Sequence, residues 1–87
     1  MQIYKIEISK NALKFLNRQP FHIRKRVFTA IYKLPQGTNI KKMAGHDHRF
    51  RLRVGDIRVL YELRDAVLVV AVVKIGFRGS VYQGKLI

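Results

Sequence analysis

The sequence predicts an α+β fold. An N-terminal strand leads into a two-helix hairpin, and a mainly antiparallel twisted sheet follows, with the helices on one face. Three observations carry this. Apolar residues alternate over 2–8 and again from residue 49 onward. Two stretches, 10–18 and 21–34, place apolar residues at helical spacing. A third run, 66–75, is almost wholly apolar and strand-sized. The 87 residues fit a single domain spanning 1–87.

Each element has its own local reason. In residues 2–8, Tyr4, Ile6 and Ile8 share one face of a strand. Ser9 can cap a helix that carries Ala12, Leu13 and Leu16 toward a core. Pro20 ends that helix and suits the first turn of the next. Ile23, Val27, Ala30, Ile31 and Leu34 form the apolar stripe of the second helix, closed by Pro35-Gln36-Gly37. Residues 38–48 read as a loop. Phe50, Leu52 and Val54 then alternate with Arg49, Arg51 and Arg53. A two-residue loop at Gly55-Asp56 pairs Val54 with Ile57, Leu52 with Val59 and Phe50 with Tyr61, which gives one consistently apolar face. Arg64-Asp65 turns the chain into the run 66–75, expected to be a central strand covered on both faces and ended by Gly76.

Charge is the strongest global signal. Eighteen Lys and Arg against five Asp and Glu give +13. Phosphate neutralisation makes nucleic acid the first candidate partner, and an acidic protein the second. With no cysteine, neither disulfides nor thiolate metal sites support the fold. The N-terminus lacks the apolar core of a signal peptide, and no run reaches the ~20 residues of a membrane span. The expectation is a soluble, cytoplasmic protein with no membrane partner.

The same register that buries one sheet face sets Arg53 opposite Arg58, and Arg49 opposite Glu62, on the other. Five of the nine arginines lie between 49 and 64. Like charges facing each other across strands are destabilising, so folding alone does not account for them. Arginine suits planar, bidentate phosphate recognition. Cations on one face with an aromatic hydroxyl nearby are a sensible kit for RNA.

The stretch LRVGDIRVLYEL, the apolar strand after it and the closing IGFRGSVY resemble the C-terminal half of the RelE/ParE superfamily of bacterial toxins. The helical hairpin and opening strand agree, so the resemblance covers nearly the whole chain. It implies a RelE-like fold and a toxin of a type II toxin–antitoxin pair. In the RelE branch the toxin enters the ribosomal A site and cuts mRNA without a metal or cofactor, by attack of a ribose 2′-hydroxyl on the adjacent phosphate. In the ParE branch the fold inhibits DNA gyrase. The implied partners are a cognate antitoxin and the ribosome, with its rRNA and A-site mRNA. The alternatives are a ParE-like gyrase inhibitor, a catalytically weak toxin, or a basic nucleic-acid-binding module without catalysis.

By this resemblance, Arg58 matches the arginine that holds the scissile phosphate and Arg78 the second phosphate clamp. Tyr82 matches a tyrosine that orients the substrate nucleotide. Arg51 and Arg53 stand where relatives often carry lysines. Arg49, His48, Lys74 and Phe77 complete the expected RNA contacts. Two departures bear on the chemistry. Arginine does not give up its proton, so no lysine-like base is available at 51 or 53. Phe77 stands where many relatives carry His or Lys, which replaces a proton shuttle with an apolar ring.

Other residues have plainer readings. His46 and His48 with Asp47 are too few for a zinc site, and a solvated loop is expected. Tyr4, Tyr32 and Tyr61 are expected to be packing residues, and His22 a surface one. Arg24, Lys25, Arg26 and Lys33 lie off the apolar stripe, as a solvated face or a grip on rRNA phosphates.

Overall fold

The computed structural model describes residues 3–79. Five strands form one sheet in the order β1-β5-β4-β3-β2. They are β1 (Lys5–Ile8), β2 (Ile40–Lys42), β3 (Arg49–Val54), β4 (Ile57–Arg64) and β5 (Val69–Phe77). The pair β1–β5 is parallel, and the remaining neighbours are antiparallel. Helices α1 (Lys10–Asn17) and α2 (Phe21–Tyr32) connect β1 to β2.

Both helices cover the same sheet face. Ala12 and Leu16 from α1 join Val27 and Ile31 from α2 in one cluster with Leu52, Ile57, Val59, Tyr61, Val70, Val72 and Ile75 from the strands. Burying each large aliphatic side chain contributes roughly 1.5–3 kcal/mol, and this shared face holds the two layers together. Among the described residues the core contains no buried polar or charged side chain.

The start of α1 is tied to the sheet by Ser9. Its hydroxyl oxygen accepts from the Ala12 N–H at 3.2 Å and donates to the Val73 carbonyl at 3.0 Å. That carbonyl belongs to an irregularity. Leu60 pairs with Lys74, and Tyr61 pairs with Val72, so Val73 is the extra residue of a β-bulge. The bulge resets the alternation of β5. Val70, Val72, Ile75 and Phe77 stand opposite the core-facing Leu63, Tyr61, Val59 and Ile57, while Ala71, Lys74 and Gly76 go to the other face.

The register expected for β3 and β4 is present in full, including Arg53 opposite Arg58 and Arg49 opposite Glu62. Gly55 opens the connecting loop at φ 59°, the left-handed value that a two-residue hairpin with glycine first requires.

Several boundaries differ from expectation. The loop 38–48 contains a short edge strand, β2, whose Ile40, Lys41 and Lys42 pair with Leu52, Arg51 and Phe50. Three residues, two of them lysine, show no readable alternation, and charge is how exposed edges are protected. Strand β1 begins at Lys5 rather than at residue 2, and the helices end at Asn17 and Tyr32. The run expected to be strand from 66 opens as a 3₁₀ turn, Asp65–Val67, with Leu68 at φ 54° before β5 begins. Gly76 does not end β5, because Phe77 still pairs with Ile57. The strand is interior, between β1 and β4, and Val70, Ala71 and Val72 are buried in succession, so both faces are shielded there.

Candidate functional site

The sheet face turned away from the helices carries the arginines. At the end nearest the β3–β4 loop, Arg53 stands opposite Arg58 and Arg58 opposite Gly76. Arg78 lies two residues beyond Gly76, and its N–H donates to the Asp56 carbonyl at 2.7 Å. That bond fastens the end of β5 to the hairpin loop and sets the backbone of Arg78 beside Asp56, two residues along from the row of Arg53, Arg58 and Gly76.

The guanidinium groups of Arg53 and Arg58 are each held by neutral oxygen. Arg58 Nη1 donates to the carbonyls of Gly55 at 2.8 Å and Ile57 at 3.3 Å. Arg53 Nη2 reaches Asn39 Oδ1 at 3.5 Å, and the Arg53 N–H donates to the Asn39 carbonyl at 3.0 Å. Among the described residues no carboxylate lies within ion-pairing distance of Arg53, Arg58 or Arg78. Asn39 is a positioning residue that the sequence reading missed. Its φ of 62° is a conformation asparagine tolerates well, and the Gly-Thr-Asn stretch at 37–39 is the signal that could have found it.

The next row places Lys41 opposite Arg51, Arg51 opposite Leu60 and Leu60 opposite Lys74. Leu60 is buried between cationic neighbours on this face. Lys74 joins the face only through the bulge.

The far end of the face is different. Arg49 Nε and Arg64 Nε both bond to Glu62, at 3.2 and 3.1 Å. Hydrogen bonding from Arg64 and then from Arg49 holds the Glu62 carboxyl below its ordinary pKa, against the opposing pull of partial burial. Lys5 pairs with Glu7 at 3.8 Å, and the Tyr4 hydroxyl donates to Asp65 at 2.6 Å, which raises the Tyr4 pKa. A cleft of about 570 Å³ lies here, lined by His46, His48, Arg49, Glu62 and Arg64 among others.

The expected site residues therefore separate into groups. Arg53, Arg58 and the backbone of Arg78 come together, with Arg51 and Lys74 in the adjoining row. Arg49 is engaged by Glu62. His48 is exposed at the far end of β3. Five extended residues put it about 16 Å from Arg53 along the strand, too far to share a phosphate with the first row. No cluster that could hold a metal exists among the described residues. Phe77 sits on the helix side of the sheet, its ring 5.1 Å from that of Phe15 in an edge-to-face contact, and 46% of the residue remains exposed. The alternation of β5 directs it away from the arginine face. Tyr82 lies outside the described residues.

The other aromatic expectations divide. Tyr61 is a core residue stacked on Phe50 at 5.6 Å, and burial pushes its phenol up to about 12. Tyr32 does not pack into the core. It is 63% exposed, because its position on α2 lies off the stripe formed by Val27 and Ile31. Among the described residues no helix is long and apolar enough to cross a membrane.

Comparison with known proteins places this face in context. The archaeal RelE–RelB complex from Pyrococcus horikoshii OT3 contains a chain 26% identical, with a TM-score of 0.74, covering 90% of this chain and 98% of that one. The RelB–RelE complex from Methanococcus jannaschii gives 28% identity and a TM-score of 0.68, with coverage of 87% and 94%. A variant of the Escherichia coli toxin RelE in the free state shares the fold at 19% identity and a TM-score of 0.74, with coverage of 91% and 87%. No curated protein sequence matches. Residues 6–82 match the family described as the ParE toxin of the type II toxin-antitoxin system parDE. With nearly its whole length matched, the chain belongs to the ParE toxin family, within the RelE/ParE superfamily of type II toxin–antitoxin toxins.

Proposed function

We propose that this toxin is a ribosome-dependent mRNA endonuclease, cleaving in the A site by metal-independent attack of a ribose 2′-hydroxyl. The observation that carries this reading is the Arg53–Arg58 cross-strand pair with the backbone of Arg78 beside it and no carboxylate partner among the described residues.

The chemistry follows from charge. The 2′-oxygen bonds to the adjacent phosphorus, the bond to the 5′-oxygen breaks, and the products are a 2′,3′-cyclic phosphate and a 5′-hydroxyl. Negative charge accumulates on the non-bridging oxygens on the way, and guanidinium groups already fixed in place stabilise it without reorganising. Arg58, held by two carbonyls, is the best-positioned group for this task. Arg78 completes a clamp from the other strand, and Arg53 raises the local potential. Arg51, Arg49 and Lys74 guide the strand by phosphate contact, while Phe77, on the helix side of the sheet, and His48, at the far end of β3, stand outside the clamp. Arginine cannot act as the base, so positioning of the RNA and charge stabilisation carry the rate, with Tyr82 as the remaining proton-transfer group. The ribosome supplies the strained, in-line geometry. A cognate antitoxin, acidic and partly apolar, would hold the toxin inactive; the RelE chains from the two archaea form complexes with RelB partners.

The family match supports a second reading, inhibition of DNA gyrase. Primer extension on mRNA from translating ribosomes separates the two. Cuts confined to the A-site codon, absent with an Arg58→Ala, Arg78→Ala variant, support the endonuclease. Absence of cuts together with inhibited gyrase supercoiling supports the second reading.

A further inference from the structure

Helix α2 carries a second stripe, apart from the arginine face, of which only Phe28 packs against the core. Phe21, Lys25, Phe28 and Tyr32 fall at i, i+4, i+7 and i+11, on one side of the helix and apart from Val27 and Ile31. Phe21 is 68% exposed. Phe28 and Tyr32 stack on each other with centroids 5.9 Å apart and planes 16° apart. The Arg24 guanidinium lies 5.9 Å from the centre of the Phe21 ring. No carboxylate occurs anywhere from residue 10 to 34, so nothing on either helix neutralises these cations. Exposed aromatic side chains gathered on one face mark a place where something binds.

We propose that this face of α2 is a second RNA-binding surface, on which unpaired bases stack on Phe21 and on the outer side of Tyr32 while Arg24 and Lys25 meet phosphates. It rests on the reading of the protein as an RNA-directed toxin. Two features favour RNA over a protein partner. Lysine is depleted at the centres of protein interfaces, yet Lys25 stands in the middle of this stripe. Rings interleaved with cations are the means by which single-stranded nucleic acid is held, since every base has a face to stack and every nucleotide a phosphate. The net charge of +13 adds the long-range attraction. Because the helices cover the opposite side of the sheet from the arginines, RNA on α2 is a different segment from RNA in the arginine row. That suits unpaired bases of the ribosome, with the message on the other face.

The test is ultraviolet cross-linking of the full chain to a short oligouridylate, with the linked peptides mapped by mass spectrometry, alongside affinity measured over a salt series. The expected result is cross-links at Phe21 or Tyr32. A Phe21→Ala, Tyr32→Ala variant should bind the oligomer about tenfold or more weakly at every salt concentration, with an unchanged salt slope, because stacking is not ionic. An Arg53→Ala, Arg58→Ala variant should flatten the slope instead. Both aromatic positions are exposed, and an unchanged melting temperature would show that the variant folds. Cross-links confined to the arginine face with unaltered affinity overturn the proposal. So does unaltered RNA affinity with lost binding of the acidic antitoxin, which would make the stripe a protein-docking face. Cross-links on α2 without A-site cleavage by the wild type would sink the endonuclease and leave this surface standing.

Discussion

The two ends of the open sheet face are both rich in arginine and are built to opposite purposes. At the loop end Arg53 and Arg58 face each other, and neutral carbonyl and amide oxygens hold them. At the far end Arg49 and Arg64 share one carboxylate, Glu62. The cation count hardly distinguishes them; the placement of a single acid does. An arginine bound to Glu62 has its favoured partner already, and a phosphate must compete for it. An arginine bound to carbonyls keeps its full charge for an incoming anion. The cross-strand repulsion at the loop end costs a few tenths of a kcal/mol or more, and a phosphate bound there would relieve it.

Mutation of matched arginines breaks this comparison most severely. Arg58→Ala should lower ribosome-dependent cleavage about 10²–10³-fold, the loss expected for one fixed group that stabilises transition-state charge. Arg49→Ala should lower it far less, although both are arginines on the same face. Primer-extension rates on the same message give both values, and equal losses would mean that the Glu62 pairing does not matter.

Removing the acid should convert the far end into something like the loop end. Glu62→Gln frees Arg49 and Arg64, so single-stranded RNA should bind more tightly, with a salt slope steeper by about 0.7 for each phosphate gained. Anisotropy of a labelled oligomer over a salt series measures this. An unchanged slope would show that the released arginines are out of reach of RNA.

The smallest effects lie in pH dependence. The folded Glu62 pKa is lowered, chiefly by Arg64 and then by Arg49, so the unfolded chain binds the proton more readily. The stabilisation is present above the ordinary glutamate value of about 4.3 and is lost as pH falls through the lower folded value. It is at most about 1 kcal/mol for such a surface pair. Tyr61 has the reverse sign. Its folded pKa is raised to about 12 by burial, so its contribution is present below pH 10 and is lost as pH rises toward 12. Melting temperatures across pH should show a shallow acid limb that Glu62→Gln removes and an alkaline limb that Tyr61→Phe reduces.

Much of the loop end was legible without coordinates. The apolar alternation of 50, 52 and 54 against 57, 59 and 61 has a single satisfactory register, and that register puts Arg53 on Arg58 and Arg49 on Glu62. Less legible were residues whose role depends on distant chain. Asn39 positions Arg53 across 14 residues, from a loop whose three-residue strand is too short and too charged to show a period. Phe77 and His48 neighbour Arg78 and Arg49 in sequence, and sequence proximity alone groups them with the arginines. In the fold, alternation directs one to the helix side, and strand length carries the other to the far end.

The sequence by itself determined the α+β class, the two helices with their core stripes, the β3–β4 hairpin and the identity of one cationic sheet face, because each follows from periodicity over a few neighbouring residues. Only the tertiary structure decided how the last strand joins that face. The run 69–73 is uniformly apolar, so no pattern within it reveals where the alternation slips. The slip occurs at Val73, where the Ser9 hydroxyl takes the carbonyl. Without it, alternation would direct Lys74 into the core and Gly76 and Arg78 away from Arg58. A bond between a helix cap and a strand 64 residues later thus sits at the slip that puts Lys74 and Gly76 on the arginine face.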